Sequence, residues 1–85
     1  MNVRVYVTPK RSILDPQGAT VERALPALGF EGVSGVRIGK LIEFSLHRPA
    51  EATREQVDAK IDDMCRKLLA NPIIEDFTFE VDGVE

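Results

Sequence analysis

The stretch Leu68-Leu69-Ala70-Asn71-Pro72-Ile73-Ile74-Glu75-Asp76-Phe77 changes its period within three residues. Before it, apolar residues recur at helical spacing; after it, they alternate as on a strand. Leu68 and Leu69 close an apolar helix face, Asn71 suits the left-handed conformation at a helix end, and Pro72 cannot continue a helix. The helix is therefore expected to stop near Ala70. Ile73 and Ile74 restart the chain in extended form, and the alternation from Glu75 to Val81 aims a last strand back into the core.

Working outward, the helix that ends there should start at Thr53, because Thr53 with Gln56 three residues later has the form of a capping box. Val57, Ile61, Met64, Cys65, Leu68 and Leu69 share one face of it, and acids come early and bases late, as the helix dipole favours. At the other end of the chain, Val3, Val5 and Val7 alternate with polar neighbours as a half-buried strand that Pro9 ends. Asp15-Pro16-Gln17-Gly18 reads as a helix start, with Asp15 as N-cap and Pro16 at the first helical position. Val21, Ala24, Leu25 and Leu28 line its apolar face and Gly29 stops it, while Pro26 predicts a kink or break near residues 22 to 26.

Between the helices, Val36 and Ile38 alternate with Arg37 and Gly39 and lead into Ile42, Phe44 and Leu46. A two-residue turn at Gly39-Lys40 would mix the two faces of the sheet. A three-residue connection, Gly39-Lys40-Leu41, pairs Ile38 with Ile42 and Val36 with Phe44 and keeps the apolar residues together. The predicted order is thus β-α-β-β-α-β over a single domain, residues 1–85: an α+β, ferredoxin-like antiparallel sheet with two helices on one face, able to dimerise through its edge strands. The opposite face would be mainly polar, and the tail from Asp82 to Glu85 is expected to fray.

Eighty-five residues bury only about 60 to 65% of the surface they expose when unfolded, so oligomerisation is the natural supplement to a small core. A net charge of -3 disfavours nucleic acid, and one cysteine excludes an internal disulfide and fits a reducing compartment. No apolar run is long enough to span a membrane. The expected location is the cytoplasm, with no membrane partner.

The search for chemistry finds no catalytic set. Gly35 to Lys40 has three residues between its glycines, where a phosphate-binding loop needs four, and Leu41 follows the lysine where Ser or Thr is required. Cys65 lies on an apolar helix face without a neighbouring histidine, and a lone His47 cannot assemble a zinc site. Asp62-Asp63 and Glu75-Asp76 are sequence neighbours, whose side chains point apart. An RNA-recognition reading fails because Tyr6 is the only aromatic placed on the open sheet face.

Val7-Thr8-Pro9-Lys10, Ile13-Leu14-Asp15-Pro16-Gln17-Gly18, Val36-Arg37-Ile38-Gly39-Lys40, and Met64-Cys65 with Leu68 to Phe77 together resemble the PurS family, the small subunit of phosphoribosylformylglycinamidine synthase. The likeness covers nearly the whole chain; Pro26 is its one unusual feature. It implies a subunit of purine biosynthesis with no catalytic site, cofactor or metal of its own. Acting as a homodimer or tetramer, such a subunit bridges a glutaminase, which releases ammonia, and a large synthetase subunit that uses ATP and magnesium. Partner contacts are then expected at three exposed corners: Asp15, Pro16, Gln17 and Gly18; Arg37, Gly39 and Lys40; Asn71, Pro72 and Glu75. The competing readings are an ACT-like regulatory module that senses a small metabolite, and a small standalone enzyme.

Overall fold

The computed structural model describes residues 1–83. Strand β1 (Asn2–Pro9) is central in a three-stranded antiparallel sheet, flanked by β2 (Lys40–Ser45) and β3 (Glu75–Asp82). Val5 stands opposite Ile42 on one side and Phe79 on the other, so the valines of β1 share a face with the apolar residues of both neighbours. Helix α2 (Arg54–Met64) covers that face. Val3, Val5, Val7, Val57, Ile61, Cys65 and Ala70 form the buried core, with Phe44, Leu69, Phe77, Phe79 and Val81 packed around it. Asp82 pairs with Asn2 rather than fraying, and the rest of the expected frayed tail, 84 and 85, lies outside the described residues.

Helix α2 starts as the sequence predicts. Gln56 N–H donates to Thr53 Oγ1 at 3.1 Å and Thr53 N–H to Gln56 Oε1 at 3.0 Å, a complete capping box. Its end differs in mechanism. The last turn, Cys65–Leu69, is a π turn closed by Ala70 N–H on the Cys65 carbonyl at 2.9 Å. That wider turn rotates Leu68 off the core face, leaving it 84% exposed, although α-helical spacing from Ile61 would have buried it. Nor does Asn71 adopt a left-handed conformation; no described residue other than glycine has a positive φ. Instead Asn71 organises the junction: its carbonyl accepts from Ile74 and Glu75, its side chain accepts from Ile73, and its own N–H donates to Glu75 Oε1 at 2.7 Å.

The α+β class and the antiparallel sheet with two helices match the expectation; two parts of the layout do not. Helix α1 (Pro16–Ala24) gives way to a 3₁₀ turn, Pro26–Leu28, and ends at Gly29 with φ 94°, which is the break that Pro26 demands. But α1 does not share α2's face of the sheet: its only buried residue is Gly18, packed under the Val36 carbonyl rather than over a strand. Residues 36–39 also form no strand of the sheet and no hairpin turn. Gly39, expected at the turn, is a glycine of close approach, for a Cβ there would lie 2.3 Å from the Val7 carbonyl oxygen. The segment runs straight on into β2, so residues 10–39 stand out from the sheet as an arm. Extents of 55 × 26 × 16 Å and a radius of gyration of 16.7 Å follow, where a compact chain of this length has about 12 Å.

Candidate functional site

The three corners separated in the sequence meet at one end of the sheet, where β1 leaves it. Asp15 occupies the N-cap position of α1 with extended backbone, as predicted, yet its carboxylate makes no cap bond. Asp15 Oδ2 accepts from Ile38 N–H at 2.7 Å instead. Two helical turns further on, Glu22 Oε1 accepts from Val36 N–H at 3.0 Å. Two carboxylates seven residues apart lie on the same side of a helix, and here they hold alternate N–H groups of one extended segment. The sequence reading does not single out Glu22, although its spacing from Asp15 carries the signal.

Gly18 is not an exposed contact. It is buried, and a Cβ there would fall 2.2 Å from the Val36 carbonyl oxygen. Pro16 and Gln17 are exposed beside it. Arg37 is half-buried and donates from its guanidinium to the Pro9 carbonyl at 2.8 Å, tying the segment to the end of β1. Lys40 Nζ comes within 3.8 Å of Glu75 Oε2, and Lys10 N–H donates to the Ile74 carbonyl at 2.9 Å, which joins the 71–75 junction to the same region. Asn71 and Pro72 are exposed at its rim. Between loop 11–15, α1 and residues 35–37 lies an open groove of about 540 Å³, with Arg11, Arg23 and Arg37 on its walls.

The electrostatics are those of a scaffold. The Ile38 N–H holds the Asp15 carboxyl below the usual carboxylate range, with smaller help from Gly18 and Gln17 against partial desolvation. On the open sheet face, Arg4 bonds Asp82 at 2.5 Å and Glu80 at 3.3 Å, and Tyr6 donates to Glu80 at 2.8 Å. The Asp82 and then the Glu80 hydrogen bond raise the Arg4 guanidinium pKa, and Glu80 does the same to the Tyr6 phenol. Cys65 is free and buried; burial pushes its thiol up, nearby Asp62 adds to the effect, and a thiol so placed is inert. Among the described residues no group of three or more His, Cys, Asp and Glu is placed to hold a metal ion, and no helix is long and apolar enough to cross a membrane.

The arm also carries apolar side chains with no place in the core. Leu14 is 81% exposed, Leu28 71% and Phe30 58%. Such a run of exposed apolar groups on one extension is the composition of a surface that another protein covers.

Against known proteins, residues 2–83 match the family model PurS, described as phosphoribosylformylglycinamidine (FGAM) synthase. The phosphoribosylformylglycinamidine synthase subunit PurS of Synechocystis sp. is 50% identical over 82 residues, 96% of this chain and 79% of that protein. Its counterpart in Bacillus subtilis is 44% identical over 82 residues, 96% of this chain and 93% of that one. Among solved structures, the C2 crystal form of B. subtilis PurS superposes with a TM-score of 0.79 at 41% identity, covering 96% of this chain and 98% of that one. Methanocaldococcus jannaschii PurS, a subunit of formylglycinamide ribonucleotide amidotransferase in purine biosynthesis, gives 0.77 at 37% identity, covering 99% and 98%.

Proposed function

The chain belongs to the PurS family, the PurS subunit of phosphoribosylformylglycinamidine synthase in purine biosynthesis, and from that premise we propose that it is a non-catalytic bridge between the other subunits of that enzyme. The relatives speak for this line and give no support to the ACT-like metabolite sensor. In the proposed assembly, a self-associated form of the chain, dimer or tetramer, sets a glutaminase subunit against a large synthetase subunit in the cytoplasm. The glutaminase releases ammonia from glutamine. The synthetase, which holds the ATP and magnesium, uses that ammonia to convert formylglycinamide ribonucleotide to the amidine. Holding the two active sites together raises the local concentration of ammonia and keeps it from water.

The observation that carries the bridging role is the arm: three large apolar side chains stand clear of a core that is complete without them. Around its base, Asp15, Pro16, Gln17, Arg37, Gly39, Lys40, Asn71, Pro72 and Glu75 form one continuous candidate contact region, with buried Gly18 shaping its backbone from beneath. The test is amidine formation by the purified glutaminase and synthetase subunits, with and without this chain, from glutamine and from ammonia. Glutamine-driven turnover should require the chain and ammonia-driven turnover should not. Equal glutamine-driven rates with and without it overturn the bridge.

A further inference from the structure

Strand β3 has a neighbour on one side only, and hydrogen-bond parity shows what its other side offers. Lys10 N–H donates to the Ile74 carbonyl at 2.9 Å, in line with the register that pairs Pro9 with Glu75 and Val7 with Phe77. The residues of β3 that exchange bonds with β1 are therefore the even-numbered ones, 76, 78, 80 and 82. The backbone groups of Phe77, Phe79 and Val81 turn outward and have no partner among the described residues. Side chains alternate along that edge: Phe77, Phe79 and Val81 are half-buried on the core face, and Asp76, Thr78, Glu80 and Asp82 are exposed on the open face.

Beside the edge lies an open groove of about 490 Å³. Phe77 and Phe79 line it from the sheet, and Asp62 and Arg66 line it from the helix. Arg66 bonds Asp62 at 2.7 Å, and its guanidinium stands 5.4 Å from the centre of the Phe77 ring, which fixes the helix-side wall. Two half-buried phenylalanines next to unpaired backbone groups are what the side chains of an added strand would cover. The junction that feeds β3 adds two more large apolar groups outside the core, Leu68 at 84% and Ile73 at 82% exposure.

We propose that the outer edge of β3 docks an extended segment of a partner subunit in which apolar and basic residues alternate, added as a further strand of the sheet. Its backbone bonds Phe77, Phe79 and Val81, its apolar side chains enter the groove against Phe77 and Phe79, and its basic side chains meet Asp76, Glu80 and Asp82. Charge selects that composition. The bases inland of β3 are already engaged, Lys10 with Asp76 and Arg4 with both Glu80 and Asp82, so two bases serve three acids and the outer flank of the strand stays acidic. Charge also rejects a second copy of this chain. Antiparallel pairing of β3 with itself sets Asp76 against Glu80 when the two-fold axis passes Thr78, and Asp76 against Asp82 when it passes Phe79. The acids that keep identical chains apart at this edge are the recognition element for a basic one.

This docking edge rests on the proposed bridging function for its partner, and the two fail differently. The purified glutaminase and synthetase subunits are each added to the chain, and affinity and amide exchange are read together. One of them should slow exchange at Phe77, Phe79 and Val81 by about tenfold or more, and the segment of that subunit protected in the complex should alternate apolar and basic residues. Thr78→Lys, at the exposed middle of the open face, should weaken that binding by about fivefold, whereas Thr78→Glu should hold or tighten it. Binding that leaves residues 77, 79 and 81 exchanging freely, a protected partner segment that is acidic or helical, or equal affinities of the two variants overturns the docking edge while the bridge stands. Slowing at these residues in the chain alone as its concentration rises assigns the edge to a second copy and also overturns it. No binding to either subunit, with glutamine-driven turnover indifferent to the chain, overturns the bridge and the docking edge with it.

Discussion

In the body of the molecule, Val5 and Ile61 lose all contact with water; in the arm, Leu14 and Leu28 keep 81% and 71% of their surface exposed, although they are no less apolar. The difference lies in what each segment has to pack against. The body presents a strand face with alternate valines to a helix whose apolar residues recur every fourth position, so both buried faces are filled by each other. Burial of each such side chain contributes about 1.5 to 3 kcal/mol. The arm has one short helix, broken by Pro26, and an extended segment, and neither has a second layer. It is held by polar bonds: Asp15 to Ile38, Glu22 to Val36, Arg37 to Pro9 and Lys10 to Ile74. The body is built by the hydrophobic effect and the arm by hydrogen bonds at its base.

The sharpest way to break this contrast is a pair of equal truncations. Ile61→Ala removes a side chain at the centre of the core and should cost about 2 to 5 kcal/mol in urea unfolding, including the cavity it leaves. Leu28→Ala, in the arm, should change the same quantity by less than about 0.5 kcal/mol. Similar losses at both sites would mean that the arm shares the core after all.

A smaller effect is expected at the joint inside the arm, where α1 meets the extended segment 36–39. In Gly18→Ala the new methyl must occupy space 2.2 Å from the Val36 carbonyl oxygen and 2.6 Å from Asp15 Oδ2, and overpacking of this kind costs about 1 to 3 kcal/mol. The α-helical gain from replacing glycine offsets only about 1 kcal/mol of it. The cost should fall on the joint: amide exchange at Val36 and Ile38 accelerates while exchange at Val5 and Ile61 stays as it was. Uniform acceleration across the chain would make Gly18 part of the global fold rather than of the arm's internal packing.

How much is legible in sequence follows the same division. The strands of the body, the capping box and the helix stop near Ala70 all come from local patterns whose partners are in the same layer pair, and the structure bears them out. The break at Pro26 is equally local, since it needs only the missing N–H. Residues 36–39 mislead for a reason periodicity cannot supply. Alternation says which residues share a face, not whether the chain turns between two alternating runs, and Gly39 serves a close approach as readily as a turn. The placement of α1 misleads likewise: Val21, Leu25 and Leu28 form an apolar face, but a face does not name what covers it. The three candidate corners are individually visible as caps and turns, while their convergence on one end of β1 depends on long-range bonds such as Ile38 to Asp15. Asp15 reads as an ordinary cap because residue type and position cannot show that its carboxylate has a better partner 23 residues away.

That last exchange of partners sets the smallest and most local prediction. The Ile38 N–H favours the charged form of Asp15, so its carboxyl in the folded arm titrates below its usual value, whereas in the unfolded chain it returns to that value. A carboxylate depressed in the folded state stabilises that state fully above the unfolded value, and the contribution disappears as pH falls through the folded one. The bond that holds the extended segment to α1 should therefore persist at neutral pH and loosen only in strong acid, below the ordinary aspartate range. Because the group is at the surface, the effect belongs to the joint and leaves the core untouched. In a proton–nitrogen correlation titration, the Ile38 amide should move with a midpoint below the ordinary aspartate value, and Asp15→Asn should abolish that movement, while Val5 and Ile61 show no matching step. An Ile38 midpoint at the ordinary value would mean that the carboxylate spends its time in solvent, and that Glu22 holds the extended segment to α1 without it.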